Sequence, residues 1–194
     1  MNLNALIIFA RKPEAGKVKT RLAATIGDAA ALDIYIRLLI HTRAVAMHSG
    51  VDGHVFLTEK ATDDFWKNFN EHLQADGDLG EKMEAAFAQL FTHGYQRVVI
   101  IGSDCPELTT AHVREAFSLL ETNDVVIGPA LDGGYYLLGM KTLQATLFRN
   151  KNWSTDTVFT QTIADLEKGG LTYAKLPQLR DIDTGEDLQS VGWL

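Results

Sequence analysis

The strongest constraint on the fold of this chain is a set of short, unbroken apolar runs separated by longer stretches of helical periodicity. Ala5-Leu6-Ile7-Ile8-Phe9-Ala10, Val98-Val99-Ile100-Ile101 and Val125-Val126-Ile127 show no apolar–polar alternation. A strand with one wet face alternates with period two, whereas a strand buried on both faces reads as a continuous run, as central parallel strands covered by helices do. Parallel neighbours cannot be joined by a tight hairpin, so helices must carry the crossovers. The spacing supplies them. Ala31, Leu32, Tyr35, Leu38, Leu39, Thr42, Val45 and Ala46 form one stripe after Gly27-Asp28, with Gly50 as a stop. Met83, Phe87 and Leu90 mark a helix from Leu79 to Phe91, Thr109-Thr110 can cap another through Leu120, and a further one spans Thr157 to Lys168.

Strands are also expected at His54 to Leu57 and Tyr173 to Leu176, with an amphipathic stretch carrying Phe65, Trp66 and Phe69 after the former. Tyr135 to Met140, introduced by Gly133-Gly134, reads as a strand that can run antiparallel to its neighbours, and a short helix closes the chain. The fold class is therefore α/β: a three-layer α/β/α, Rossmann-like, mostly parallel mixed sheet in one domain over residues 1–194. Ligands are expected at the carboxyl ends of its strands.

Composition narrows the function. At 194 residues and 46% hydrophobic, the chain can bury one sizeable core. A net charge of -7 with one basic cluster argues against a nucleic-acid surface, which needs a stripe of Lys and Arg. No apolar run reaches the length of a membrane span and no secretory leader is recognisable, so a cytoplasmic protein without membrane partners is expected, with a homodimer left open. Cys105 is the sole cysteine, which excludes an intramolecular disulfide and a thiolate metal cluster. A bound metal would rest on carboxylates.

The basic cluster is the segment after the first strand. Arg11 to Arg21 holds five basic residues and one acidic residue, a balance of +4 in a chain of net charge -7. At the carboxyl end of a strand such a loop suits a polyanion, most simply nucleotide phosphates; a solvated basic face is the plainer alternative. Lys17-Val18-Lys19-Thr20 does not satisfy the P-loop pattern, and no Gly-x-Gly-x-x-Gly follows the strand. Asp104, just beyond the most hydrophobic strand, is placed to hold Mg²⁺ or Mn²⁺, or else to cap the next turn. Asp181 and Asp183, one residue apart, point to the same side of an extended segment and offer the second half of a metal site, or an Asx turn. Asp132-Gly133-Gly134-Tyr135 reads as a substrate pocket or a hairpin turn, and Trp153-Ser154-Thr155 as pocket wall or core. Asp76 to Glu81 reads foremost as a helix cap. Cys105 has no neighbouring His and is not read as a nucleophile.

Phe9-Ala10-Arg11-Lys12-Pro13, Gly16-x-x-Lys19-Thr20-Arg21-Leu22, Gly102-Ser103-Asp104-x-Pro106, Gly128-Pro129 with Asp132-Gly133-Gly134-Tyr135, Trp153-Ser154-Thr155 and Asp181-x-Asp183-Thr184 form an ordered set. On these motifs the chain resembles, over nearly its whole length, a bacterial family of glycosyltransferase-A-like proteins in the nucleotide-diphospho-sugar transferase superfamily. It is more distantly similar to 2-phospholactate guanylyltransferase and molybdenum cofactor guanylyltransferase. The resemblance implies that Ala10, Arg11, Gly16, Lys19, Thr20, Arg21 and Ser103 bind a nucleotide, with Lys19, Arg21 and Asp104 catalytic. It also implies that Asp104 and Asp183 share Mg²⁺ or Mn²⁺, with Asp181 the lesser candidate, while Asp132, Gly133, Gly134, Tyr135, Trp153, Ser154 and Thr155 meet the acceptor. The loop lacks the Gly-Gly dipeptide of many sugar nucleotidyltransferases, which leaves base and acceptor open.

The expected reaction is nucleotidyl transfer from a nucleoside triphosphate to a small phosphorylated or hydroxylated acceptor, with release of pyrophosphate. Glycosyl transfer from a nucleotide sugar is the alternative, and a nucleotide-binding accessory protein without turnover is a third.

Overall fold

A computed structural model of the chain describes residues 3–191. Its central sheet has the order β3-β2-β1-β4-β6-β5-β7, formed by β1 (Asn4–Ala10), β2 (Asp52–Leu57), β3 (Asn70–Leu73), β4 (Arg97–Ile101), β5 (Val125–Pro129), β6 (Tyr135–Met140) and β7 (Tyr173–Lys175). β6 runs antiparallel between β4 and β5, and all other pairings are parallel. The crossovers are α1 (Thr20–Ile26), α2 (Asp28–Met47), α3 (Leu79–Thr92), α4 (Thr110–Leu119) and α5 (Val158–Lys168), with a 3-10 turn at Ala145–Phe148 and α6 (Gly185–Ser190) at the end.

Each central strand is covered on both sides, as its unbroken run requires. Leu6 and Ile8 of β1 join Val99, Ile101 and Val126 under Tyr35, Leu39 and Val45 of α2 and Val113 and Phe117 of α4. Ala5 and Ile7, the alternate residues, face the other way with Val98, Ile100, Ile127 and Leu138 under Met83, Phe87 and Leu90 of α3 and Leu166 of α5. The result is the expected three-layer α/β/α architecture. A third, smaller cluster of Leu22, Ala31, Ile34 and Leu38 with Ile182 and Leu188 ties α1 and α2 to the last segment of the chain.

Local signals set the element ends. Asp78 accepts from Glu81 N–H while Glu81 accepts from Asp78 N–H, a reciprocal capping box that starts α3. The Asp76 to Glu81 segment is thus the cap that its sequence suggests. Thr109 and His112 cap α4 in the same way, so Asp104 is not that helix's cap. Two elements go beyond expectation. The stretch after Phe69 enters the sheet as β3, and a separate short helix, α1, precedes the helix expected after Gly27-Asp28. Among the described residues no helix is long and apolar enough to cross a membrane.

Candidate functional site

The basic loop, the segment after β4 and the Asp181 to Asp183 segment converge at the carboxyl ends of β1 and β4, where they line a cleft of about 800 Å³. Parallel strands deliver their following loops to one edge, so residues far apart in the chain meet there without any local signal. Ile182 N–H donates to the Asp104 carbonyl over 3.0 Å, which joins the amino-terminal and carboxyl-terminal walls through backbone.

Of the five cations in the basic loop, two are turned aside. Lys17 pairs with Glu14 at 2.6 Å, and Lys12 pairs with Glu14 at 3.0 Å and with Glu59 at 3.7 Å. Arg11, Lys19 and Arg21 line the cleft instead. Lys19 Nζ donates to Asp104 Oδ2 at 2.8 Å and to Asp183 Oδ1 at 2.9 Å, and its side chain is only 5% exposed. Arg21 pairs with Asp183 through the other carboxylate oxygen. Among the described residues Arg11 has no ion pair.

These contacts set the protonation states. Burial opposes charge on Lys19, but the two carboxylates outweigh it and hold its pKa above the ordinary lysine value. Burial likewise opposes ionisation of Asp104; the Lys19 charge and hydrogen bond, with the Ser103 N–H, more than offset it and keep the carboxyl below its usual range. Among the described residues Asp181 has no ion pair, and Lys19 lowers its pKa only in part. Burial, followed by the negative charges of Asp104 and Asp132, pushes its carboxyl well above the usual range. Cys105, beside Asp181, is pushed upward by burial and by that carboxylate, which makes it a buried neutral thiol.

Most of the expected site residues meet in this cleft: Ala10, Arg11, Lys19, Thr20, Arg21, Ser103, Asp104, Asp132, Gly134, Tyr135, Trp153, Ser154, Thr155 and Asp183 all line it, as does Asp181. Gly16 and Gly133 are not brought to the wall. Gly16 turns the basic loop at φ +75°, a backbone region that glycine enters without steric cost. Gly133, at φ +87°, lies so close to the Asp156 backbone that an added Cβ would stand 2.1 Å from the Asp156 carbonyl oxygen. Phe159 N–H also donates to the Gly133 carbonyl at 2.8 Å, so Gly133 locks the β5–β6 loop to the start of α5.

Several lining residues escape sequence reasoning. Tyr35 belongs to the apolar stripe of α2, yet its hydroxyl accepts from Arg11 N–H at 2.8 Å and donates to the Arg11 carbonyl at 3.1 Å, pinning the start of the basic loop. Gln74 fastens the ends of β1 and β2 by donating to the Ala10 carbonyl at 3.3 Å and the Phe56 carbonyl at 3.0 Å. Lys82 lines the cleft from α3. Nothing in the local sequence of Tyr35 or Gln74 marks these roles.

The donor chemistry suits a hard divalent cation: Asp104, Asp181 and Asp183 supply carboxylate oxygens to the cleft. Among the described residues, however, no three His, Cys, Asp or Glu side chains surround a common point as a preformed metal site. The facing oxygens of Asp104 and Asp183 are held by Lys19.

Comparison with solved structures places this arrangement among known folds. A candidate nucleotide-diphospho-sugar transferase from Desulfovibrio desulfuricans G20 is 31% identical, with a TM-score of 0.93 over 98% of this chain and 87% of that one. A nucleotidyl transferase from Methanothermobacter shares the fold at 13% identity, with a TM-score of 0.67 over 98% of this chain and 96% of that one. So does Rv0371c of Mycobacterium tuberculosis H37Rv in complex with manganese, at 15% identity, with a TM-score of 0.58 over 97% and 96% of the two chains. No curated protein matches in sequence. Residues 38–155 match the family described as "Uncharacterized protein conserved in bacteria (DUF2064)", and the chain belongs to that family.

Proposed function

We propose that this protein is a divalent-cation-dependent transferase that uses a nucleotide donor, and that it moves a nucleotidyl group from a nucleoside triphosphate to a small hydroxylated acceptor. The observation that carries the reading is the convergence of Arg11, Lys19 and Arg21 with Asp104 and Asp183 in one cleft at the carboxyl edge of the sheet. In this reading the three cations neutralise the triphosphate. Asp104 and Asp183 would hold Mg²⁺ or Mn²⁺, which when bound supplies charge neutralisation at the phosphates.

The acceptor class follows from the opposite wall. The part of the cleft contributed after residue 129 includes Asp132, Asp156, Asp181 and Asp183, two tyrosines, Trp153 and two hydroxyls, but no lysine or arginine. Asp183 is paired with Lys19 and Arg21, but a phosphate-bearing acceptor would meet Asp132, Asp156 and Asp181 there without a facing cation from that wall, whereas hydroxyl groups can donate to them and a sugar-like ring can lie against the aromatics. The acceptor oxygen would form a bond to the α-phosphorus as the bond to the β-phosphate bridging oxygen breaks, with pyrophosphate leaving. Its proton passes to a carboxylate on that wall, for which Asp132 and Asp181 are the candidates.

The same cation-free wall also suits glycosyl transfer, in which an acceptor attacks a sugar carbon and a nucleoside diphosphate leaves. The description of the Desulfovibrio protein favours this second reading. A thermal-shift panel of nucleoside triphosphates and nucleotide sugars, with and without Mg²⁺ or Mn²⁺, tests both. At least one ligand is expected to raise the melting temperature more with metal than without it, and Asp104→Asn is expected to reduce that gain. Pyrophosphate as product supports nucleotidyl transfer, nucleoside diphosphate supports glycosyl transfer, and binding without product supports the accessory reading. No shift with any ligand would end the nucleotide hypothesis.

A further inference from the structure

Lys19 occupies the position where the two carboxylates proposed to hold the metal face each other. Its Nζ is within 2.9 Å of both, its side chain is 5% exposed, and it reaches them from a left-handed backbone at φ 49° and ψ 43°. A non-glycine residue is strained in that region, so the double ion pair holds Lys19 in a conformation it would otherwise avoid. We infer that Lys19 is the resident counter-ion of Asp104 and Asp183, so that this cleft takes up a divalent cation jointly with a nucleotide triphosphate and excludes the free metal. The inference rests on the nucleotide reading above and adds how the ligand enters.

The reasoning is electrostatic. A free dication at the pair must displace the ammonium and leave it beside a like charge with its two carboxylate partners taken by the metal, which is unfavourable in a partly desolvated site. A triphosphate changes both sides of the exchange. It brings oxygens to which Lys19 can donate and contributes further oxygens to the metal. Metal and nucleotide then raise each other's affinity by one common factor, as linkage requires.

Titration of the protein with Mn²⁺ alone, followed by loss of the free-ion electron paramagnetic resonance signal, tests exclusion directly. Lys19→Met is expected to bind free Mn²⁺ about tenfold or more tightly than wild type, whereas Lys19→Arg, which keeps the charge, stays within about threefold of wild type. An affinity unchanged by Lys19→Met overturns the inference. Should that variant fail to fold, ¹⁵N spectra of lysine Nζ in the wild-type protein decide the matter, because a shielded, doubly bonded ammonium exchanges slowly. Its signal is expected to persist with Mg²⁺ alone and to move with Mg²⁺ plus at least one of ATP, GTP, CTP and UTP. Movement with Mg²⁺ alone overturns joint entry while leaving the nucleotide reading intact. No response to any of the four nucleotides overturns both.

Discussion

Between about pH 7 and pH 4 the stability of the fold depends in part on one part-buried chain of hydrogen bonds on the α3 face of the sheet. His54 of β2 is 5% exposed. Its Nδ1 lies 3.0 Å from His72 Nε2 and its Nε2 lies 3.0 Å from the Tyr95 hydroxyl, which donates to Asp52 at 3.0 Å. Gln89 closes the other end at 2.9 Å from His72 Nδ1. With Tyr95 donating to Asp52, a consistent assignment has His54 donating to Tyr95, His72 donating to His54 and Gln89 donating to His72. Both imidazoles are then neutral, each with one nitrogen as acceptor. Protonating His54 would set its Nδ1–H against the N–H of His72. Burial, aided by the charge that His72 would carry and opposed by Asp52, accordingly lowers the His54 pKa from 6.5 to about 4.

The sign follows from the proton balance. The folded pKa lies below the unfolded one, so the unfolded chain binds more protons between the two values. The stabilisation is complete above about pH 6.5, is lost as pH falls through the window, and changes no further below about pH 4. At about 1.4 kcal/mol per pKa unit, the fall to about 4 corresponds to about 3 kcal/mol. His72, also lowered by burial and by His93, adds in the same direction. Asp181, raised in the fold, acts with the opposite sign but is common to wild type and variant. Urea unfolding followed by tryptophan fluorescence at several pH values, on wild type and His54→Asn, measures the difference. Wild type is expected to lose about 3 kcal/mol more than the variant over the window, and parallel losses in the two proteins would refute the reasoning.

Two further outcomes follow from local geometry. Asp78→Ala removes the side-chain acceptor for Glu81 N–H at the start of α3 and is expected to lower the unfolding free energy by about 1 kcal/mol in urea titration. Gly133→Ala combines a positive φ with a Cβ 2.1 Å from the Asp156 carbonyl, so a loss of about 2–4 kcal/mol is expected in the same assay.

The layered α/β/α architecture was legible in the sequence because burial on both faces leaves an unbroken apolar run, and such runs with helical crossovers admit few topologies. The cap at Asp78 and the strand from Tyr135 were legible for a similar reason, since their signals lie within a few residues. β3 was not. Asn70-Glu71-His72-Leu73 forms an edge strand exposed everywhere but at His72, and its position comes from pairing with β2 rather than from any apolar run of its own. At the candidate site, the residue types were visible and their relations were not. The basic loop reads as a +4 island, but folding returns Lys12 and Lys17 to Glu14 and sends Lys19 to carboxylates 85 and 164 residues away. Tyr35 reads as core because its ring is buried, while its hydroxyl sets the backbone of a loop 24 residues earlier. Charge pairing in the cleft acts over ångströms and is indifferent to chain separation, so only the three-dimensional path of the backbone could decide which cation stands between which acids.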